Sequence, residues 1–327
     1  MESFKYALIG AGGIARTHAK AASETEGRIA ISHVVDINEQ AAADLAGEHN
    51  AEAVPSFDRL LEAIDAGHGP DALFVCTPPN ARMGIIQSAI ERGVPVLVEK
   101  PLAHTLDDAQ KLAQIWERHQ NVPACVAYCH RFAPPIVRMR EVIEQGMIGR
   151  LTRFENTFAF HFPGMSDKWM SDPATAGGGA CIDTGSHSVD LFHFLVGPSR
   201  VAGAVFDYEW DDRGESSATV VLRSQVPGVA GVIAGGWMEP ERFTLTLVGT
   251  NGLLHYDYMD AERIRFQGVD GVDDQIRVES HEHRFREQLL AFADHARGGD
   301  RGRLAAFSDG ALASEVIAEA TRLSKVI

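Results

Sequence analysis

The chain has 327 residues, more than one hydrophobic core usually serves, so two domains are expected. Hydrophobic residues make up 45% and charged residues 23%, the balance of a globular protein with a sizeable core. The formal net charge of −15 repels phosphate backbones and anionic lipid, which argues against nucleic acid and membrane as partners.

The first strand starts close to the N-terminus, leaving no room for a signal peptide, and no apolar run reaches the roughly 18 residues a membrane helix needs. Cys76, Cys125, Cys129 and Cys181 form no CxxC pair and read as reduced thiols, so a cytoplasmic location is expected. Tyr6–Gly10, Ile31–Asp36, Asp71–Thr77, Pro95–Lys100 and Ala124–His130 are nearly continuous apolar runs, as strands of a parallel sheet covered on both faces are. Between them, Ile14–Ser23, Glu39–Glu48, Arg59–Ala66, Met83–Arg92 and Leu106–His119 carry apolar residues at helical spacing. Ser56 and Thr105 suit helix N-caps and Gly93 a helix C-terminus. Alternating strands and helices predict a doubly wound parallel sheet.

Between the first strand and first helix lies Gly10-Ala-Gly12-Gly13-Ile14-Ala15, a G-x-G-x-x-A pattern. Gly10 permits a tight turn, Gly12 lets backbone approach a pyrophosphate, and Ala15 allows close helix–strand packing. The pyrophosphate would rest on the unpaired N–H groups of the helix. Asp36 closes the second strand, where a carboxylate bonds the ribose hydroxyls of NAD and repels the 2′-phosphate of NADP. Neither Ile37 nor Asn38 supplies a compensating cation, so NAD is the expected cofactor. The fifth strand ends in Glu99-Lys100-Pro101, a charged pair at the sheet edge where ligands bind, with a proline that defines the turn.

Past residue 150 the pattern changes to alternation of apolar and polar residues. Leu151–Phe160, Val201–Trp210, Ala218–Gln225, Phe243–Val248 and Arg263–Gln267 predict a largely antiparallel sheet. A helix is expected over Ala180–Leu195, and two more over His281–Arg297 and Ala305–Val326. Asp183 and His187, four residues apart, share one helix face, and Gly177-Gly-Gly179 before them is expected to let the helix N-terminus approach a ligand closely.

Gly10–Ala15, Cys76-Thr77-Pro78-Pro-Asn80, Glu99-Lys100-Pro101 and Gly177 through Asp190, in this order and spacing, resemble the glucose–fructose oxidoreductase and inositol dehydrogenase family, Gfo/Idh/MocA. The likeness runs over essentially the whole chain and extends to Asp309-Gly310-Ala311 near its end. It implies a Rossmann NAD-binding domain, drawn at 1–130, followed at 131–327 by a substrate-binding and oligomerisation domain on a large, mostly antiparallel open sheet. It also implies that Lys100, Asp183 and His187 are catalytic and touch substrate, and that Arg131 lines the nicotinamide or substrate side. Trp169 falls where the family has an aromatic residue near cofactor or substrate, and His161 is a further candidate for the substrate cleft. The cofactor set comprises Gly10, Gly12, Gly13, Ile14 and Ala15 in the loop, with Asp36 and Asn38 after the second strand. Cys76, Thr77, Pro78 and Asn80, then Glu99, Lys100 and Arg131, complete it. Many members have His a few residues after the Thr-Pro motif, where this chain has Met83.

The implied reaction is oxidation of an alcohol carbon of a sugar-like or cyclitol-like substrate, with hydride passing to nicotinamide. His187 would take the hydroxyl proton, with Lys100 left open as the alternative base; Lys100 would stabilise the developing negative oxygen, and Asp183 would orient substrate and lysine. Two alternatives keep the cofactor: a redox-neutral glycosidase or elimination enzyme, and a non-catalytic NAD-binding sensor. The resemblance further implies a homodimer or homotetramer. His281-Glu-His283 lacks third-ligand spacing and reads as a solvated helix start, so no metal is expected. Cys125 and Cys129 would face one side of a strand as buried free thiols. Trp237 is, like His161, a candidate for the substrate cleft, weighed against core or packing between subunits.

Overall fold

A computed structural model describes residues 2–225 and 228–326. In chain order the first elements are β1 (Phe4–Ile9), α1 (Gly13–Ser23), β2 (Ile29–Val35), α2 (Glu39–Glu48), β3 (Glu52–Val54), α3 (Phe57–Asp65) and β4 (Ala72–Val75). There follow α4 (Met83–Glu91), β5 (Val96–Val98), α5 (Leu106–Glu117), β6 (Ala124–Val126), α6 (Pro134–Glu144), β7 (Leu151–His161), α7 (Pro173–Ala176) and α8 (Ala180–Leu195). Then come β8 (Ser199–Asp207), β9 (Ser217–Ser224), β10 (Ala230–Gly236), β11 (Met238–Gly249), β12 (Gly252–Asp257), β13 (Arg263–Gly268) and β14 (Asp273–Arg277). The chain closes with α9 (Arg284–Ala296), β15 (Ala305–Ala306), α10 (Phe307–Leu323) and β16 (Ser324–Val326).

These elements form two compact units, each assembled from separated stretches of chain. The first comprises Met1–Ala103, Asp107–Cys129 and Phe285–Gly310; the second comprises His104–Leu106, His130–Arg284 and Ala311–Ile327. A contiguous split at 130/131 does not contain this return of 285–310 to the first unit.

The first unit holds a seven-stranded sheet in the order β15-β6-β5-β4-β1-β2-β3, parallel throughout except for β15 against β6. Its strands carry almost unbroken apolar runs because helices cover both faces; Ala7, Leu8, Leu73, Val75, Val96 and Leu97 are wholly buried. The chain order reverses between β1 and β4, the kind of crevice where sheets of this type bind ligands. The architecture is therefore the Rossmann type expected.

The second unit is built on a nine-stranded sheet in the order β14-β13-β12-β11-β7-β10-β9-β8-β16. Only β10 with β7 and β16 with β8 run parallel, so it is mostly antiparallel. Helix α8 packs across β10, β7 and β9. It comes close because β10 is glycine-rich: a Cβ on Gly231 would lie 2.6 Å from the Phe192 ring, and one on Gly235 would lie 2.3 Å from Thr184 Oγ1. Among the described residues no helix is long and apolar enough to cross a membrane.

Candidate active site

The glycine loop is built as a cradle. Gly10 takes φ +107°, and a Cβ there would sit 3.0 Å from the Cys76 carbonyl carbon, so only glycine lets β1 end this close to the chain leaving β4. Beyond Gly12 and Gly13 the space is open, and Gly12 caps α1 without any side-chain hydrogen bond. The orphan N–H groups of the helix start are thus left for an anion. The Asp36 carboxylate is drawn to the same loop, accepting from Ala11 N–H at 2.6 Å and Asn38 N–H at 2.8 Å. The buried hydroxyl of Thr77 has no protein partner. An open helix N-terminus, an anchored carboxylate and an orphan hydroxyl fit a dinucleotide.

Lys100 lies just past the end of β5, in a turn with a cis Lys100–Pro101 peptide. Its backbone N–H donates to Glu99 Oε2 at 3.1 Å, and Glu99 Oε1 lies 2.7 Å from His18 Nε2. Glu99 is 4% exposed, so its carboxylate serves the turn rather than a cofactor. Met83 takes no part in this network; its neighbour Arg82 does. The Arg82 guanidinium, 2% exposed, donates to the carbonyls of Glu99 and Pro101 and reaches the Thr77 carbonyl through Nε (2.9 Å) and Nη2 (2.6 Å). Burial pulls its pKa down to about 10, which leaves it charged at neutral pH.

In the second unit, α8 carries Asp183 and His187. Asp183 Oδ2 accepts from the indole N–H of Trp237 at 3.2 Å. Trp237 is fully buried with Met165 and Ala180, which makes it core rather than a subunit contact. His187 opens on a cavity of about 330 Å³, lined also by His130, Phe158, Glu241, Tyr258 and Arg284. His130 meets His187 edge-on at 4.7 Å, stacks on Phe158 at 5.0 Å, and pairs through Nδ1 with the Tyr258 hydroxyl at 2.9 Å. Aromatic faces, imidazoles and one ion of each sign suit a ring with an apolar face and a hydroxylated rim.

Several expected ligand contacts are otherwise employed. Arg131 is buried and bonds Asp190 through Nε (3.0 and 3.1 Å) and Nη2 (2.6 Å), so it anchors α8. The Asn38 side chain caps α2 by accepting from Ala41 N–H at 3.1 Å. His161 ends β7 exposed, and Trp169 is 44% exposed; neither lines the cavity. The glycine run before α8 approaches its own chain, not a ligand. A Cβ on Gly177 would lie 1.9 Å from the His104 carbonyl oxygen, and one on Gly179 would lie 2.2 Å from that of Glu215. Buried Glu215 occupies the helix start, accepting from Gly179 N–H (3.1 Å) and Cys181 N–H (2.8 Å), and burial raises its pKa. Cys125 ends up on β6 and Cys129 in the turn after it, so they share no strand; all four thiols are buried and none is in a disulfide. Among the described residues no three His, Cys, Asp or Glu side chains could hold a metal.

Sequence reasoning missed Arg82, Glu215, Tyr258 and His18, whereas Cys129-His130 stands out in the sequence as a departure from the family's Asn-bearing pair before Arg131, read as tuning substrate or cofactor binding. Only His18 left a signal: it interrupts the small buried stripe Ala15, Ala19 and Ala22 of α1.

The family described as "Oxidoreductase family, NAD-binding Rossmann fold" matches residues 4–128, and the "GFO/IDH/MocA C-terminal domain" matches 136–255. The chain is 28% identical to the rhizopine catabolism protein MocA of Rhizobium meliloti, over 98% of this chain and 94% of that protein. It is 30% identical to the dTDP-3,4-didehydro-2,6-dideoxy-alpha-D-glucose 3-reductase of Saccharopolyspora spinosa, over 79% of this chain and 77% of that one. A levoglucosan dehydrogenase structure holding NADH and levoglucosan shares the fold, with TM-score 0.87 and 18% identity over 98% of this chain and 96% of that one. Solved structures of this fold hold NADH in one case and NADP in another.

Proposed function

The chain belongs to the Gfo/Idh/MocA oxidoreductase family, and from that premise we propose that it is an NAD-dependent dehydrogenase oxidising a secondary alcohol of a sugar, sugar derivative or cyclitol. The observation that carries this reading is the carboxyl edge of the parallel sheet. There the uncapped glycine loop, Asp36 and Lys100 follow β1, β2 and β5. Bound nicotinamide supplies a hydride acceptor.

The chain's own residues handle charge, orientation and the proton. Lys100 donates a hydrogen bond to the substrate oxygen and stabilises its developing negative charge. His187, an imidazole with intrinsic affinity for protons near neutrality, takes the hydroxyl proton. Asp183, anchored by Trp237, orients the substrate hydroxyls. Asp36 favours NAD, since a 2′-phosphate would meet its carboxylate. Four buried cysteines outside any disulfide accord with a cytoplasmic setting, and a homodimer or homotetramer completes the proposal.

The test is NADH formation by the purified protein with NAD⁺ and a panel of aldoses, sugar acids and inositols, with NADP⁺ in parallel. Turnover is expected on NAD⁺, and K100M is expected to lose it while still binding NAD⁺. Full turnover by K100M would remove the lysine's role. Silence across the panel despite NAD⁺ binding would favour redox-neutral chemistry or a sensor.

A further inference from the structure

β5 hands the chain to the Glu99-Lys100-Pro101 turn, and buried polar side chains hold that turn. From α1 comes His18, wholly buried, with Nε2 at 2.7 Å from Glu99 Oε1. The other oxygen of Glu99 accepts the Lys100 N–H at 3.1 Å. From the end of the Thr77–Arg82 loop comes Arg82, which donates to the carbonyls of Glu99 and Pro101. The peptide group before the lysine and the carbonyl of the proline after it are thus held by side chains that solvent does not reach.

Stability alone does not call for such a set. Taking a carboxylate and an imidazole out of water costs several kcal/mol, which apolar residues of similar volume would avoid. The other buried residues of the α1 stripe are alanines, and the His18 ring lies among aromatic rings, 4.1 Å from Phe74 and 5.1 Å from Phe285. A phenylalanine would pack there. What it would lack is the nitrogen that aims Glu99 at the Lys100 N–H.

We propose that His18 and Glu99 are positioning residues for Lys100, tying the helix whose N-terminus would receive the pyrophosphate to the backbone of the lysine. The chain of contacts is short: α1, the His18 imidazole, the Glu99 carboxylate, the Lys100 N–H. Arg82 holds the carbonyls of Glu99 and Pro101, the residues that flank the lysine. This inference rests on the reading of Lys100 as catalytic.

The test compares H18F, E99A and E99Q with the wild-type chain. H18F keeps the ring packing and removes the nitrogen; E99Q keeps an acceptor for the Lys100 N–H; E99A removes it. One readout needs no substrate: the rate at which acetic anhydride acylates Lys100, measured by peptide mass spectrometry against exposed Lys111. Releasing the turn is expected to raise Lys100 labelling at least about three-fold in H18F and E99A, with E99Q recovering most of the difference. With a substrate from the panel, kcat should fall about 10- to 100-fold in H18F and E99A, while KM for NAD⁺ stays within about three-fold. Circular dichroism identifies any variant that fails to fold, and the remaining variants then decide. Wild-type Lys100 labelling in folded H18F and E99A overturns the proposal. Full turnover by K100M is a separate failure, of the catalytic reading beneath it.

Discussion

Arg131 and Asp190 show how a residue can be conspicuous in sequence for one reason and buried in the structure for another. The motif around Arg131 suggests a ligand contact, yet its guanidinium bonds, through Nε and Nη2, a buried carboxylate about one helical turn past His187. Removing one member of a buried, hydrogen-bonded pair leaves the other charge uncompensated, a cost of about 3–5 kcal/mol. R131M is therefore expected to lower the urea midpoint strongly, and R131M/D190L to recover most of the loss; equal midpoints for R131M and wild type would dismiss the anchor. Sequence reasoning could place Gly10, Asp36 and Lys100 because each is tied to a strand end by local grammar. It could not place Glu215, Arg82 or Tyr258, whose partners are distant in sequence and arrive through tertiary packing.

At the level of elements, α8 coincides with the expected helix over Ala180–Leu195, and it is buried over most of its circumference rather than along one apolar stripe. β10 escaped notice because its glycines, needed to seat α8, weaken the strand signal. α8 also starts without a local cap and borrows the Glu215 carboxylate. E215A is expected to cost about 1 kcal/mol, as loss of a helix cap does. Burial raises the Glu215 pKa, so the folded chain holds this proton to higher pH than the unfolded chain. Its contribution to stability is then greatest below the ordinary carboxylate value of 4.5 and declines as pH rises toward the raised value. The urea midpoint of wild type relative to E215Q should fall as pH rises through that window. A difference independent of pH would show that Glu215 is not perturbed.

On the scale of the whole molecule, the change from buried parallel strands to alternating ones identified both sheets, because each sheet's solvent exposure is written into residue period. The return of 285–310 to the first unit was not legible, since α9 has the same amphipathic pattern wherever it docks. Cofactor binding offers a check on the first unit. NAD⁺ at a hundred-fold excess over its Kd should stabilise the protein by about 2.7 kcal/mol. D36A should lose most of that gain with NAD⁺ while narrowing the gap to NADP⁺, read as shifts in Tm; an unchanged preference would rule out the ribose contact.

The interleaving of the two units bears on how a nascent chain can acquire this structure. The first unit lacks α9 and β15 until residues past 285 have emerged, and the sheet of the second lacks β16 until those past 324 have. The glycine loop, made within the first few seconds of synthesis at about 5–20 residues per second, precedes the completion of its own unit by some fifteen seconds or more. For that interval the edge of β6 that β15 will pair and the apolar side chains that α9 will cover stand open, so chain order sets when this unit can close.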